Sequence, residues 1–320
     1  MQRVTVLLML LAVLAVPAVA AEEEAEPPPE KKACPPPLPF HTVEGTGGVL
    51  MTDTAYICNM ADCCARAEGP CTCWMARPTT AATAVFFGDK HLQAYTVATC
   101  LFHRLEVSYA FQRLSLGGWP SDVQAILGPE VDEDAVAMHV LGGRLMLIKE
   151  GDFGLSWMPA ITAGARFKYN EDVWDIDADL GGAVKGLGVA ENKGWDYTIT
   201  ASKMFTGILP KPFVLSAGLR STEAAQTGML GFSEKRDVVV EASAVFFLTD
   251  RLLLAGEYRQ KPDRLGRVPR LVGREEDWWA VALGYIVNDN LTVAFGFTQL
   301  GEMMNNTDNS AWGMQVKWEF

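Results

Sequence analysis

The last ten residues, 311–320, constrain the fold more than any other stretch. Trp312, Met314, Val316, Trp318 and Phe320 are large and apolar, whereas Ala311, Gly313, Gln315, Lys317 and Glu319 are small, polar or charged. Successive side chains of a strand point to opposite faces, so this segment is a strand with one apolar face and one wet face. Such a strand fits either the edge of a soluble sandwich or the wall of a membrane barrel. The two are separated by whether the pattern recurs.

It recurs. From Arg77 onward the chain divides into twelve runs, 79–88, 91–101, 104–114, 135–149, 158–169, 195–206, 212–222, 237–247, 251–260, 277–287, 290–299 and 310–320. Each is close to the roughly ten residues that a tilted membrane strand needs. Leu105, Val107, Tyr109 and Phe111 oppose Glu106, Ser108, Ala110 and Gln112; Leu291, Val293, Phe295 and Phe297 oppose Thr292, Ala294, Gly296 and Thr298. The first two runs alternate poorly, and 135–149 keeps phase only with a bulge at Gly142-Gly143. After the third run, long links (115–134, 170–194, 223–236, 261–276, 300–309) alternate with shorter ones (150–157, 207–211, 249–250, 288–289). Outer-membrane barrels have this rhythm, with an even strand number and both termini in the periplasm. Trp195, Tyr197, Phe205, Phe213, Trp278, Trp279, Trp318 and Phe320 fall near run ends, where interfacial girdles belong. The expectation is an all-β, antiparallel transmembrane barrel of about twelve strands. Its closing strand resembles that of bacterial outer-membrane barrels, which implies that Trp318 and Phe320 form a signal for the barrel-assembly machinery.

The start of the chain fits export. Arg3, the apolar run from Val4 to Val16 and Ala18-Val19-Ala20 predict a signal peptide over residues 1–20. Beyond it, 26 Lys and Arg face 39 Asp and Glu. That acidity excludes nucleic acid as a partner and gives no attraction to anionic head groups. Residues 21–43 begin as an acidic, proline-rich piece with little to bury, read as a disordered leader. Residues 44–76 form a cysteine-rich segment, a periplasmic cap or a plug, and 77–320 the barrel. Cys34, Cys58, Cys63, Cys64, Cys71, Cys73 and Cys100 are disulfide candidates because the envelope is oxidising. A metal site is the other reading of the cluster, although its spacing matches no common zinc pattern.

With the apolar face outward, the lumen holds Glu106, Arg166, Lys168, Arg220, Glu241, Glu257, Arg259, Lys317 and Glu319. Balanced acids and bases of this kind suit a polar constriction that sets solute preference, or a lumen filled by mutual ion pairs. Lys261 and Asp263, flanking Pro262, end a strand and anchor the following loop. Asp175, Asp177 and Asp179 have a calcium-loop rhythm, but Leu180 and Gly186 stand where that loop needs its glycine and its bidentate glutamate. His41, His91, His103 and His139 are the only histidines, and Asp89-x-His91 converges with no nucleophile motif. No catalytic residue is assigned and no cofactor is expected.

Several segments resemble one bacterial family of predicted outer-membrane proteins catalogued only as a domain of unknown function. They are Arg104–Ala110, Leu230-Gly231-Phe232, Gly256–Gly266, Glu44-Gly45 with Gly47-Gly48, and Phe297 running into Leu300-Gly301. The resemblance spans 44–320, departs at the cysteines of 58–73, and implies a barrel in the envelope with no site residues to carry over. The function expected is a passive outer-membrane pore for small polar solutes, in contact with outer-membrane lipid and lipopolysaccharide. The alternative is a closed barrel with a structural or ligand- or cation-binding role through its acidic outer loops.

Overall fold

The computed structural model describes residues 40–58, 75–301, 304 and 309–320. The expected signal peptide, the leader up to residue 39 and most of the cysteine cluster lie outside these residues. Twelve strands follow one another: β1 (Thr79–Phe87), β2 (Lys90–Leu101), β3 (Leu105–Ser115), β4 (Ala135–Ile148), β5 (Ala160–Asn170), β6 (Lys193–Phe205), β7 (Phe213–Ala224), β8 (Phe232–Phe247), β9 (Leu252–Arg259), β10 (Trp278–Ile286), β11 (Leu291–Gln299) and β12 (Ser310–Glu319). Short helices α1 (Trp119–Leu127), α2 (Val173–Asp179) and α3 (Ala183–Gly186) interrupt two of the long loops. Each strand pairs antiparallel with its sequence neighbours, and β1 closes on β12 with Thr79 opposite Glu319 and Phe86 opposite Trp312. Closure leaves no sheet edge, the condition for strands to cross lipid.

Alternation runs around the wall, interrupted at the register shifts between Met146 and Ile148 and between Thr222 and Ala224. Phe86, Tyr95, Leu141, Tyr197, Val281, Phe295, Met314 and Val316 lie on the outer face, each at least 45% exposed. An apolar band of that extent on every side is compatible only with a hydrocarbon surround. The chain is an outer-membrane β-barrel.

Four details differ from the sequence reading. Gly142-Gly143 is no bulge: β4 alternates through it, and the register shift lies between Met146 and Ile148. The reversal was illusory because the inward face itself changes along β4, from Val136, Met138 and Val140 to Arg144. Likewise β1 and β2 alternate in burial, and their pattern is faint because both faces carry small side chains. Trp278 belongs to no girdle; it points inward, 6% exposed, while Trp279 faces out. Finally, β8 starts at Phe232 rather than 237, so the preceding loop is only 225–231.

Residues 40–58 occupy the lumen as a compact, turn-rich plug, closed on itself by bridges His41–Gly47 and Gly48–Asp53. Phe40, four residues before the boundary that composition suggested, is already fully buried against the wall, so residues 40–43 belong with the plug and not with a disordered leader. At the short-turn end, Phe40 and Val49 pack with Val214, Val245 and Leu253. At the long-loop end, Met51 joins Phe87, Leu114, Val136, Trp278 and Leu300. Between these two apolar layers lies a layer of charge.

Candidate functional site

The charged layer is assembled by alternation on the wall and by two carboxylates of the plug. Glu44 accepts Lys168 Nζ at 2.6 Å and Arg220 Nη1 at 2.8 Å, with Arg259 Nη2 at 3.3 Å and Arg166 Nη1 at 3.7 Å. Asp53 binds Arg166 Nη2 through both oxygens at 2.5 Å and lies 3.8 Å from Arg144 and 3.9 Å from Arg220. On the wall, Asp196 receives Lys168 at 2.8 Å and Arg220 at 2.9 Å, and Glu241 receives Arg220 at 2.6 Å and Arg259 at 3.3 Å. Each guanidinium thus faces several carboxylates, which is what allows the ions to be buried at all.

Two further wall carboxylates hold plug backbone. Glu257 accepts the N–H groups of Leu50, Met51 and Thr52 at 3.3, 2.9 and 2.9 Å and the Thr52 hydroxyl at 3.0 Å. Glu106 pairs with Arg144 at 2.7 Å and accepts the N–H groups of Gly47 at 3.2 Å and Cys58 at 2.6 Å. Neutral contacts complete the seat: Gln315 exchanges hydrogen bonds with both backbone groups of His41, and Ser202 Oγ accepts the Ala55 N–H. The glycines of the plug follow from this closeness. Gly45 has φ +92°, and a Cβ on Gly47 would sit 2.9 Å from the Tyr56 carbonyl. On the wall, a Cβ on Gly284 would lie 2.6 Å from the Phe40 ring.

Arg166, Lys168 and Arg220 are 0% exposed, so among the described residues the charged layer is packed shut around the seated plug. Of the lumen residues read from sequence, Glu106, Arg166, Lys168, Arg220, Glu241, Glu257 and Arg259 face the plug or the ions around it. Lys317 and Glu319 pair with each other at 2.6 Å near the short-turn end of β12. Lys261 sits 4.4 Å above the Trp278 ring beside Gln226 and Glu275, while Asp263 holds Arg267 at 3.1 Å and Arg274 at 3.4 Å. Burial lowers the Lys261 pKa to about 8, against the upward pull of Glu275.

Arg144 and Asp196 were missed, as were both plug carboxylates. Asp196 had a signal: flanked by outward Trp195 and Tyr197, it must face inward. Arg144 was hidden by the supposed bulge, and Glu44 and Asp53 lie on a segment without periodicity.

Other candidates do not converge. Asp175, Asp177 and Asp179 lie on α2, where a spacing of two turns side chains to different sides. Asp177 pairs with Lys185 at 3.1 Å and Asp179 accepts the Asp132 N–H, so each of these two carboxylates has a partner of its own. Among the described residues, no group of three or more His, Cys, Asp or Glu forms a metal site. Asp89 accepts the Gly118 N–H and pairs with Lys90, while the His91 ring lies tilted beside that of Phe86 on the outer wall. His139, also on the outer wall, lies between the Tyr109 hydroxyl at 2.6 Å and Glu171 at 2.9 Å, an arrangement with a phenol and no serine or thiol. Of the cysteines, Cys58 and Cys100 are described and buried at the short-turn end; Cys34, Cys63, Cys64, Cys71 and Cys73 lie outside the described residues. Trp318 and Phe320 are exposed on the outer face.

By sequence, no curated protein matches the chain. Three solved structures with a similar fold are a KdgM porin (7% identity, TM-score 0.47, covering 76% of this chain and 99% of that one), the COG4313 outer membrane channel from Pseudomonas putida F1 (10%, 0.41, 79% and 100%) and the outer membrane phospholipase A from Escherichia coli (8%, 0.37, 76% and 92%). At such identity and overlap these are likenesses of architecture alone. A family model described as a protein of unknown function, DUF3034, matches residues 41–317, plug and barrel together, and the chain belongs to that family.

Proposed function

We propose that the protein is a gated conduit for small polar solutes, closed when residues 40–58 are seated and conducting when they leave the lumen. The observation that carries this reading is the seat itself. Its middle layer is built from ions and hydrogen bonds, so the groups that layer exposes on opening are ones that water solvates well, while Phe40, Val49 and Met51 leave apolar contacts on either side of it. With the plug withdrawn, the wall keeps Arg144, Arg166, Lys168, Arg220 and Arg259 against Glu106, Asp196, Glu241 and Glu257. That excess of cations gives the open lumen a preference for anions. Glu106, Arg166, Lys168, Arg220, Glu241, Glu257 and Arg259 are the proposed selectivity residues, and Lys261 with Asp263 the proposed anchor of the loop above them. Catalysis has no part in this reading, because the histidines are dispersed between the plug, a turn and the outer wall.

The closed lumen is also the observation that favours the second reading, a barrel with a structural or binding role. Single-channel conductance of the mature protein, with and without residues 21–74, separates the two. Steady anion-selective current after truncation, with rare openings in the full chain, supports the gated conduit. Silence from a truncated barrel that still shows a heat-modifiable gel shift refutes it.

A further inference from the structure

Above the charged layer the lumen is apolar, which is unusual for the interior of a barrel that passes polar solutes. Two cavities of about 60 Å³ each lie there. The lower one rests on the plug and is lined by Leu50, Met51, Phe87, Leu114, Met229 and Trp278 among others. Its only polar neighbours among the described residues are Thr83, Gln112, Thr227 and Thr298. The upper one lies beneath α1–α3 and the loop after β9, bounded by Trp119, Val136, Ile176, Met229, Leu265 and Met304. Met229 belongs to both walls. An unbranched thioether is the side chain best able to swing aside.

A packed core leaves few voids and satisfies its buried donors. Here two voids remain; the Trp278 side chain lines the lower one, and its buried indole N–H has no hydrogen-bond partner among the described residues. We propose that the long-loop half of the lumen is a binding site for a small, uncharged apolar molecule with one hydrogen-bond acceptor, such as an aromatic alcohol. With Met229 swung aside, its ring takes up the space of both cavities against Leu50, Met51 and Phe87, and its oxygen accepts from Trp278 Nε1. A charged solute has no partner there and stays unbound. The proposal does not rest on the conduit reading, since both cavities exist with the plug seated.

The test uses the full mature chain in lipid nanodiscs, with 13C-labelled methionine methyls, titrated with benzyl alcohol and separately with toluene. The methyls of Met51, Met229 and Met304 should shift saturably, while that of Met314, on the lipid face, should show only non-saturating drift. Trp278→Phe should weaken benzyl alcohol by about threefold to tenfold, the value of one neutral hydrogen bond, and leave toluene unchanged. Met229→Trp, which fills the shared wall, should abolish both. Shifts at Met314 that match those at Met51, or none at Met51 and Met229, would overturn the site. Equal weakening of both ligands by Trp278→Phe would overturn the acceptor assignment.

Discussion

Replacing Glu44 by Gln removes one charge and almost no volume, so it isolates what the ion network contributes to holding the plug. Glu44 faces Lys168, Arg220, Arg259 and Arg166 within 2.6–3.7 Å and is 1% exposed. Asp53, Asp196 and Glu241 remain to answer the cations that it leaves. Removing one partner of a buried pair costs about 3–5 kcal/mol, because the other ions stay desolvated without compensation. Withdrawal of the plug lets water relieve that cost, so the loss falls on the closed state. At tenfold per 1.4 kcal/mol, the ratio of closed to open lumens should drop by about two to three and a half orders of magnitude. The barrel itself should persist, since its strand ladder involves no plug residue. The assay is the open fraction in planar bilayers, with the heat-modifiable gel shift as proof of folding. Glu171→Gln, outside the lumen, serves as the control. A double variant, Glu44→Gln with Arg220→Met, should recover part of the closure, because one uncompensated cation is gone. If Glu44→Gln folds and its open fraction stays within threefold of the parent, the plug is not held by this layer and the reasoning fails.

Three other outcomes are expected. Gly284→Val should unseat Phe40 and raise the open fraction at least several-fold, in line with an overpacking cost of about 1–3 kcal/mol; Gly256→Val, with no neighbour within 4 Å, should not. Titration calorimetry with calcium should show no saturable site that Asp177→Asn removes, since Asp177 is committed to Lys185. Lys261 titrates near 8 in the folded loop and near 10.4 when unfolded, so the open loop binds more protons between those values and closure strengthens as pH rises through them. Tryptic cleavage at Arg270, normalised to the free peptide, should therefore slow from pH 7.5 to 9.5 in the parent and stay flat in Lys261→Met.

Wall and plug differ in how far the sequence announces them. A barrel wall repeats one instruction, apolar out and polar in, so its strands and its lumen charges could be read from alternation. The errors arose where that instruction is locally silent. Along β4 the lumen face is apolar at one end and cationic at the other, which mimics a phase change and conceals Arg144. Trp278 and Trp279 are adjacent and cannot both face lipid, yet their place near a run end put both in a girdle. The plug has no period at all: its conformation is set by glycines and by hydrogen bonds to strands that lie up to 274 positions away, as between His41 and Gln315. Glu44 and Asp53 are nine positions apart and acquire meaning only when the wall brings Arg166 and Arg220 to both.

The ionic character of the middle layer has a physical consequence of its own. Well-packed apolar residues in place of a buried ion cluster are often neutral or stabilising, so charge is not needed to keep a lumen shut. What charge does is make the closed state conditional. An apolar plug that leaves its seat exposes hydrocarbon, at about 25 cal/mol per Å², with nothing to offset it. The ionic layer of this plug exposes carboxylates and guanidinium groups whose hydration returns much of the energy lost with their pairs, so the hydrocarbon cost is confined to apolar contacts such as those of Phe40, Val49 and Met51. The same pairs fix position, since Arg220 reaches Glu44 at 2.8 Å and Asp53 at 3.9 Å only in one seating of the plug. The apolar layers on either side keep water out while that seating holds, which strengthens every ion pair within. A first breach therefore weakens all of them together, and the lumen should open in one step rather than by degrees. Bilayer recordings of Glu44→Gln should accordingly show a single open level with altered dwell times, whereas a ladder of sub-levels would mean that the ions act independently.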